Sequence, residues 1–532
     1  MPSYIFFPNG NNVGVQFARV LAKKAGWSPV VWLGNPITEA EARRDFPQCK
    51  VYNHWDTNLG DFGEHETDGD GSHLSRTSRL SVDHVSRLRE QAGRMMDRHD
   101  SFGRFRQIDR DALFWKFIIH FSDVIERVRP DALISADAPH FAMHFVFFEL
   151  CKAYGVPTFY FQPIPLASAT LLKSDIGGTP IPVASSHDRG ISTAQGQVRA
   201  YCAQVGSVRR QLTAGYETME PSYMSYRRTA DSRREGVRKL LVEGKATLLE
   251  MRRLGRASSL TPNRILLQGR APRDAGASSR PVLRALRAGI LSMRRRWYAH
   301  TMNEALIGEY NRYASQVDRL QRFVYFPLHY EPERTTNPDG GMYYQQFDAL
   351  IALRSSIPLD MRLVVKEHPL QHSPSMRGHV ARSALLYEVI SNLPNTYLAP
   401  MACSQAEMLS RASLVATVTG TAALEAVLLG TRSLIFGNPW FAGCPGVQFG
   451  LEGADIEKLC GGQAESPSAV LEYLVDLIEK FAIPALVAPK WYESGPVSQP
   501  SSEAQSVLAD AVARVLGERF GQPLGSIATA GV

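Results

Sequence analysis

Cysteine is scarce and unpatterned: the six in this 532-residue chain, at 49, 151, 202, 403, 444 and 460, contain no C-x-x-C pair. No zinc knuckle and no disulfide framework can be read from such spacing, and a reducing compartment fits best. Long apolar runs are also missing. The richest window, residues 141–151, is broken by His144 and Glu149 and falls short of the ~18–20 apolar residues of a spanning helix. Residues 1–8 have neither a basic stretch nor an apolar stretch of export-signal length, so no leader is expected. With 41 Gly and 32 Pro among 532 residues, collagen-like and disordered classes are excluded. What is present is 44% hydrophobic residues over a length that implies about two or three domains with substantial cores.

Charge is unevenly spread. The net charge is +7, yet residues 227–296 hold 19 Lys/Arg against 5 Asp/Glu, which leaves the remainder of the chain at −7. Within that segment Arg clusters alternate with Leu283, Leu286, Ile290, Leu291, Met293 and Trp297, a pattern of helices with one cationic face. A solvated face and contact with an anionic lipid or glycolipid both fit. No nucleic-acid-reading motif accompanies the charge, so no nucleic-acid partner is expected.

Strand and helix periods alternate along two stretches. Residues 4–7, a Gly-rich turn, a helix over 15–25 and an apolar run over 29–33 open the chain as a βαβ unit, without the G-x-G-x-x-G spacing of a dinucleotide site. Residues 61–81 read as a polar loop. Its His65–His73 stretch fails the Ca²⁺-loop template, because His73 stands where Gly belongs and Arg79 where an acid belongs. No metal site is expected. A second βαβ unit follows, with an apolar strand ending on Asp137, a helix from about His140, and a strand ending near Gln162. Working residues of parallel sheets lie at such strand ends. The expected divisions are a Rossmann-like acceptor domain over 1–193, a basic helical segment over 194–313, a second Rossmann-like domain over 314–466, and closing helices with a tail over 467–532.

Three strand exits in the second domain carry polar residues suited to chemistry. Lys366-Glu367-His368-Pro369 places a cation and an imidazole before a proline-fixed turn, where both can meet a phosphate and His368 can serve as proton donor. Thr419-Gly420-Thr421 opens a helix carrying Glu425, a setting for phosphate at the turn and ribose at the carboxylate; ordinary helix capping is the plainer account. The loop beyond the strand at 323–328 contains His329, Glu331 and Glu333, which can reach a sugar or stay in solvent.

These stretches, 326–341, 366–369 and 419–430 with the following Gly-Asn-Pro-Trp-Phe, resemble the capsule polysaccharide biosynthesis protein family, which includes bacterial Kdo transferases. The resemblance covers mainly residues 323–446. It implies an α/β GT-B architecture, two Rossmann-like domains facing a cleft, here with a basic helical insertion. It further implies a glycosyltransferase that moves Kdo or a similar ulosonic acid from a CMP donor to a surface polysaccharide or its glycolipid primer. Nucleotide sugar and acceptor would be its partners, with no separate cofactor. By that analogy Lys366, His368, Thr419, Gly420, Thr421 and Glu425 bind the donor. An acidic residue of the first domain supplies base or nucleophile. Asp137 is the candidate by strand-end position alone, with Glu333 a second carboxylate; His140, His329 and Glu331 are candidate sugar contacts. A single-phosphate leaving group needs no Mg²⁺ if His368, Lys366 and backbone amides meet its charge. The expected location is cytoplasmic, with the 227–296 segment touching the inner membrane face. A CDP-glycerol-type polyol-phosphate transferase and a non-catalytic polysaccharide assembly factor are the alternatives.

Overall fold

Apolar runs such as Tyr4-Ile5-Phe6-Phe7, every side chain of which is fully buried, are what a strand covered on both faces requires, and parallel sheets are built from them. The structure, a computed structural model, describes residues 2–8, 14–63, 80–100, 105–183, 188–212, 281–317, 322–332, 336–372, 378–462, 465–487 and 501–520. Glu333, most of the 61–81 loop and most of the basic segment therefore lie outside the described residues.

The first sheet contains β1 (Ser3–Phe7), β2 (Ser28–Gly34), β3 (Lys50–Asn53), β4 (Ala132–Ser135), β5 (Thr158–Ile164), β6 (Ala169–Lys173) and β13 (Ala482–Ile483), in the order β13-β6-β5-β4-β1-β2-β3. The pairs from β3 to β5 are parallel; β6 and β13 add antiparallel at one edge. The second sheet is wholly parallel. It contains β7 (Phe323–Pro327), β8 (Arg362–Lys366), β9 (Thr396–Leu398), β10 (Leu414–Thr417), β11 (Ser433–Ile435) and β12 (Val447–Phe449), in the order β12-β11-β10-β7-β8-β9. Two Rossmann-like domains thus meet in one α/β chain, with loops at the carboxyl ends of second-domain strands touching the first domain across a seam: Asn337 donates to the carbonyl of Gln91 in the helix Val82–Met95 (3.1 Å), and Asn438 to that of Gly178 beyond β6 (3.0 Å). This is a GT-B-like arrangement.

The β5–β6 hairpin extends into the second domain, where Ile164, Ala169 and Leu171 share a core with Leu424, Val427 and Leu474. The chain crosses twice more. The helix Asp188–Leu212 packs against the helices Pro467–Phe481 and Ala422–Leu428 of the second domain. After Pro467–Phe481, β13 joins the first sheet and the helix Ser502–Phe520 packs on the helix Val15–Ala25. The closing segment is therefore shared between the domains.

One contact of that return is chemically specific. Gly14 caps the Val15–Ala25 helix without a side chain, and Gln505 Oε1 accepts the Gly14 N–H (3.0 Å) and the Phe17 N–H (3.3 Å) in its place. Gln505→Ala is expected to cost about 1 kcal/mol, the usual value of a lost helix cap, read as a lowered denaturation midpoint at unchanged slope. Among the described residues no helix is long and apolar enough to cross a membrane.

Candidate functional site

In the sheet order β10-β7-β8 the three motif-bearing exits are neighbours, with strands ~4.8 Å apart. His329 joins two of them directly. Its Nε2 lies 3.0 Å from Thr417 Oγ1 and accepts the Thr419 N–H at 3.2 Å. A side chain on Gly420 would place its Cβ 2.9 Å from Thr417 Oγ1 and 3.3 Å from the His329 ring, so glycine is what lets the turn close over the imidazole. His329 is buried, and burial pushes its pKa down to about 3, which suits a ring that accepts a hydrogen bond. This nitrogen positions the Thr419-Gly420-Thr421 turn.

The adjacent exit is organised by a residue that no motif flagged. Arg382 is fully buried; its Nε pairs with Glu367 Oε2 (2.7 Å), its Nη1 with Glu331, and its Nη2 donates to the His329 carbonyl (2.8 Å). Glu331 is thereby an ion-pair partner of Arg382. Glu367 also accepts from Tyr387 (2.9 Å) and from the His368 N–H (2.8 Å). Burial alone would raise its pKa, but the Arg382 guanidinium holds it below the ordinary carboxylate range. The sequence signal for Glu367 was its place inside Lys-Glu-His-Pro. Arg382 stands outside every motif and gave none.

His368 is half-buried at the end of this frame. Its Nδ1 accepts the Leu370 N–H (3.1 Å), so the neutral ring carries its proton on Nε2. Burial lowers its pKa to about 4, only partly offset by Glu367, and at neutral pH the ring is a hydrogen-bond donor rather than a cation. Lys366 is buried and its Nζ donates to the Cys403 carbonyl (2.7 Å), which ties this cation to the β9 side of the sheet.

Thr421 caps the helix Ala422–Leu428, whose seven residues give only a short dipole. Glu425 on that helix is buried, receives weak hydrogen bonds from Tyr201 (3.5 Å) and Gln405 (3.3 Å), and is pushed by burial to about 7. A ribose would have to displace those partners.

The remaining candidates belong to the first domain. Beyond β4 the Ser135 hydroxyl donates to the Asp137 carbonyl (2.6 Å), and Asp137 Oδ1 accepts the Ala138 N–H (2.9 Å). His140 Nδ1 donates to the Ala138 carbonyl at 2.9 Å and lies 3.9 Å from Asp137 Oδ2. That bond leaves Nε2 as the accepting nitrogen of the neutral ring, with the Asp137 carboxylate on the Nδ1 side. Asp137 and His140 are thus one unit of the first domain. Among the described residues no cluster of His, Cys, Asp and Glu is arranged to hold a metal ion.

Below His140 lie His54 and His144, with ring centroids 5.0 Å apart and His144 stacked on Phe7 at 4.6 Å. Burial lowers His54 to about 4 and His144 well below the ordinary imidazole value of 6.5. Together with His329 and His368 they make four rings that the fold keeps neutral. Below pH 6.5 the unfolded chain takes up protons these rings refuse, so their contribution is complete above that pH and is lost as pH falls toward about 4. His372, likewise lowered by burial, adds to these rings, while the carboxyls of Glu39 and Glu425, raised by burial to about 7, and of Asp97 and Asp348, also raised by burial, act in the opposite sense. The urea midpoint is expected to be level above pH 7 and to fall steeply between pH 6.5 and 4.

Residues 294–471, roughly a third of the chain, match the family described as capsule polysaccharide biosynthesis protein. The matched residues contain the three motif-bearing strand exits of the second domain. No curated protein matches. Among solved structures the chain is similar to the β-Kdo 2,7 transferase of KpsC from Thermosulfurimonas dismutans, at 14% identity over 34% of this chain and 60% of that one, with a TM-score of 0.19. It thus spans 60% of that structure's length. It is also similar to the β-Kdo 2,4 transferase of the same KpsC (11% identity, 65% and 87% covered, TM-score 0.21). A third likeness is to the UDP-GlcNAc 2-epimerase of Methanocaldococcus jannaschii (11%, 97% and 100%, 0.21). At these scores likeness carries nothing about substrate.

Proposed function

We propose that the protein is a glycosyltransferase of capsule or other surface-polysaccharide synthesis, moving a Kdo-like ulosonic acid from CMP to a polysaccharide or glycolipid acceptor across the seam between its domains. The observation that carries this reading is the convergence of the β7, β8 and β10 exits, with His368 Nε2–H and the Thr419-Gly420-Thr421 turn in the second domain and Asp137 with His140 in the first. In this reading His368 donates a hydrogen bond to the phosphate oxygen of departing CMP, where charge grows in the transition state. Asp137 and His140 take the proton of the attacking acceptor hydroxyl. Glu425 meets the ribose only after Tyr201 and Gln405 give way, and the 227–296 segment meets the anionic membrane or acceptor.

Nucleotide release tests it. CMP should be freed from CMP-Kdo in the presence of a surface-glycan acceptor, while CDP-glycerol should give no release. Release from CDP-glycerol alone would replace the reading with polyol-phosphate transfer, and no binding of any cytidine nucleotide would point to an assembly factor.

A further inference from the structure

Across the first sheet, Phe7, Ser135, Tyr160 and Lys173 are register partners and form one row. Lys173 closes that row as the last residue of β6, at the end of the hairpin away from its turn. It is 1% exposed. Among the described residues its ammonium has neither a hydrogen-bond acceptor nor a carboxylate within ion-pair distance. Burial lowers its pKa to about 8, and the carboxylates of Asp339 and Asp175 act the other way from farther off. Such a cation, charged at neutral pH and unsatisfied, is costly unless an anion completes it.

Gln162 lies on the same face of the hairpin, one diagonal position away: Tyr160 opposes Lys173 and Leu171 opposes Gln162. It too is buried, at 4% exposure, and its Oε1 has no partner. Two polar side chains without partners therefore share one face of the hairpin that reaches the second domain.

Asp339 shows which part of that domain they approach. Its carbonyl accepts the Asn438 N–H (3.1 Å), and a Cβ on Gly437 would lie 2.7 Å from that carbonyl and 2.5 Å from Thr419 Cγ2. Asp339 and Gly437 are thus packed backbone to backbone with the Thr419 methyl against them, at the exits of β10 and β11, and Lys173 interacts electrostatically with Asp339 from the first domain.

We infer that Lys173 is the first domain's contact for an anionic oxygen of the donor, with Gln162 Oε1 beside it left to accept from a hydroxyl of the same ligand. An ammonium only donates hydrogen bonds, so the group it takes is a carboxylate or phosphate oxygen. An ulosonic acid carries its carboxylate on the anomeric carbon, next to the bond that breaks, and a contact there selects acidic sugars over neutral ones. The inference rests on the donor reading above.

Binding of CMP and CMP-Kdo to the full chain, measured by calorimetry for wild type, Lys173→Met and Lys173→Gln, tests it. Loss of a hydrogen bond to a charged group should weaken CMP-Kdo about ten-fold or more in both variants. CMP should change less than about two-fold if the carboxylate is the partner, and as much as CMP-Kdo if the phosphate is. The melting temperature of the free protein should not fall, because the charge removed has no partner there. Unchanged affinities, or a lowered melting temperature with affinities intact, would make Lys173 a structural cation and overturn the inference alone. If wild type bound neither nucleotide, the donor reading would fall and this inference with it.

Discussion

His368→Ala is expected to slow transfer by about 10²–10³-fold in kcat, the usual cost of deleting one preorganised donor to a developing oxyanion. The ring is suited to that work because the Leu370 N–H occupies Nδ1 and leaves Nε2–H as the donor, while burial keeps the ring neutral. A neutral donor pays no deprotonation penalty at pH 7 and becomes more basic when a phosphate arrives. His368→Gln, which keeps an N–H of similar reach, should recover part of the rate. Thermal melting should be nearly unchanged in both, since the side chain is half-buried and makes one local hydrogen bond. Wild-type turnover in the alanine variant, measured as CMP release, would remove His368 from the chemistry.

Arg382→Ala is expected to destabilise the protein by about 3–5 kcal/mol, because it strands Glu367 as a buried charge without its partner. The loss should also disconnect the site. Arg382 holds Glu331, Glu367 and the His329 carbonyl together, so it joins the β7 exit to the β8 exit. Arg382→Lys should recover little, since one ammonium cannot reproduce the fork that meets two carboxylates and a carbonyl. A denaturant titration decides the matter: a midpoint within 1 kcal/mol of wild type would show that this pair contributes little.

The two predictions differ in how far the sequence anticipated them. The exits after 327, 366 and 418 were legible because long apolar runs end abruptly in Pro, His and Thr-Gly, and strand ends in parallel sheets face ligands. The closing helices, expected over 468–481 and 503–520, occur at Pro467–Phe481 and Ser502–Phe520, since both have clear helical spacing. β6 was not legible. Residues 165–193 read as irregular, and the strand Ala169–Lys173 exists because β5 pairs with it across a four-residue turn. β13, two residues long, carries no periodicity at all. The same limit hid Arg382 and Lys173: their importance lies in what distant segments bring to them, and a lone basic residue in sequence looks like surface. His329 and Glu331 were found as polar residues in the right loop, but their roles depended on Thr419 and Arg382, 90 and 51 residues away.

The path of the last segment bears on how the molecule is made. β13 completes one edge of the first sheet and the helix Ser502–Phe520 covers the first helix, yet both are synthesised after the whole of the second domain. During translation the nascent amino-terminal half must therefore wait with Phe6, Phe17 and Phe161 incompletely covered, while the carboxyl-terminal sheet can already close on itself. Chains stalled before residue 480 would be natural clients of chaperones, and the order of maturation would run opposite to the order of synthesis.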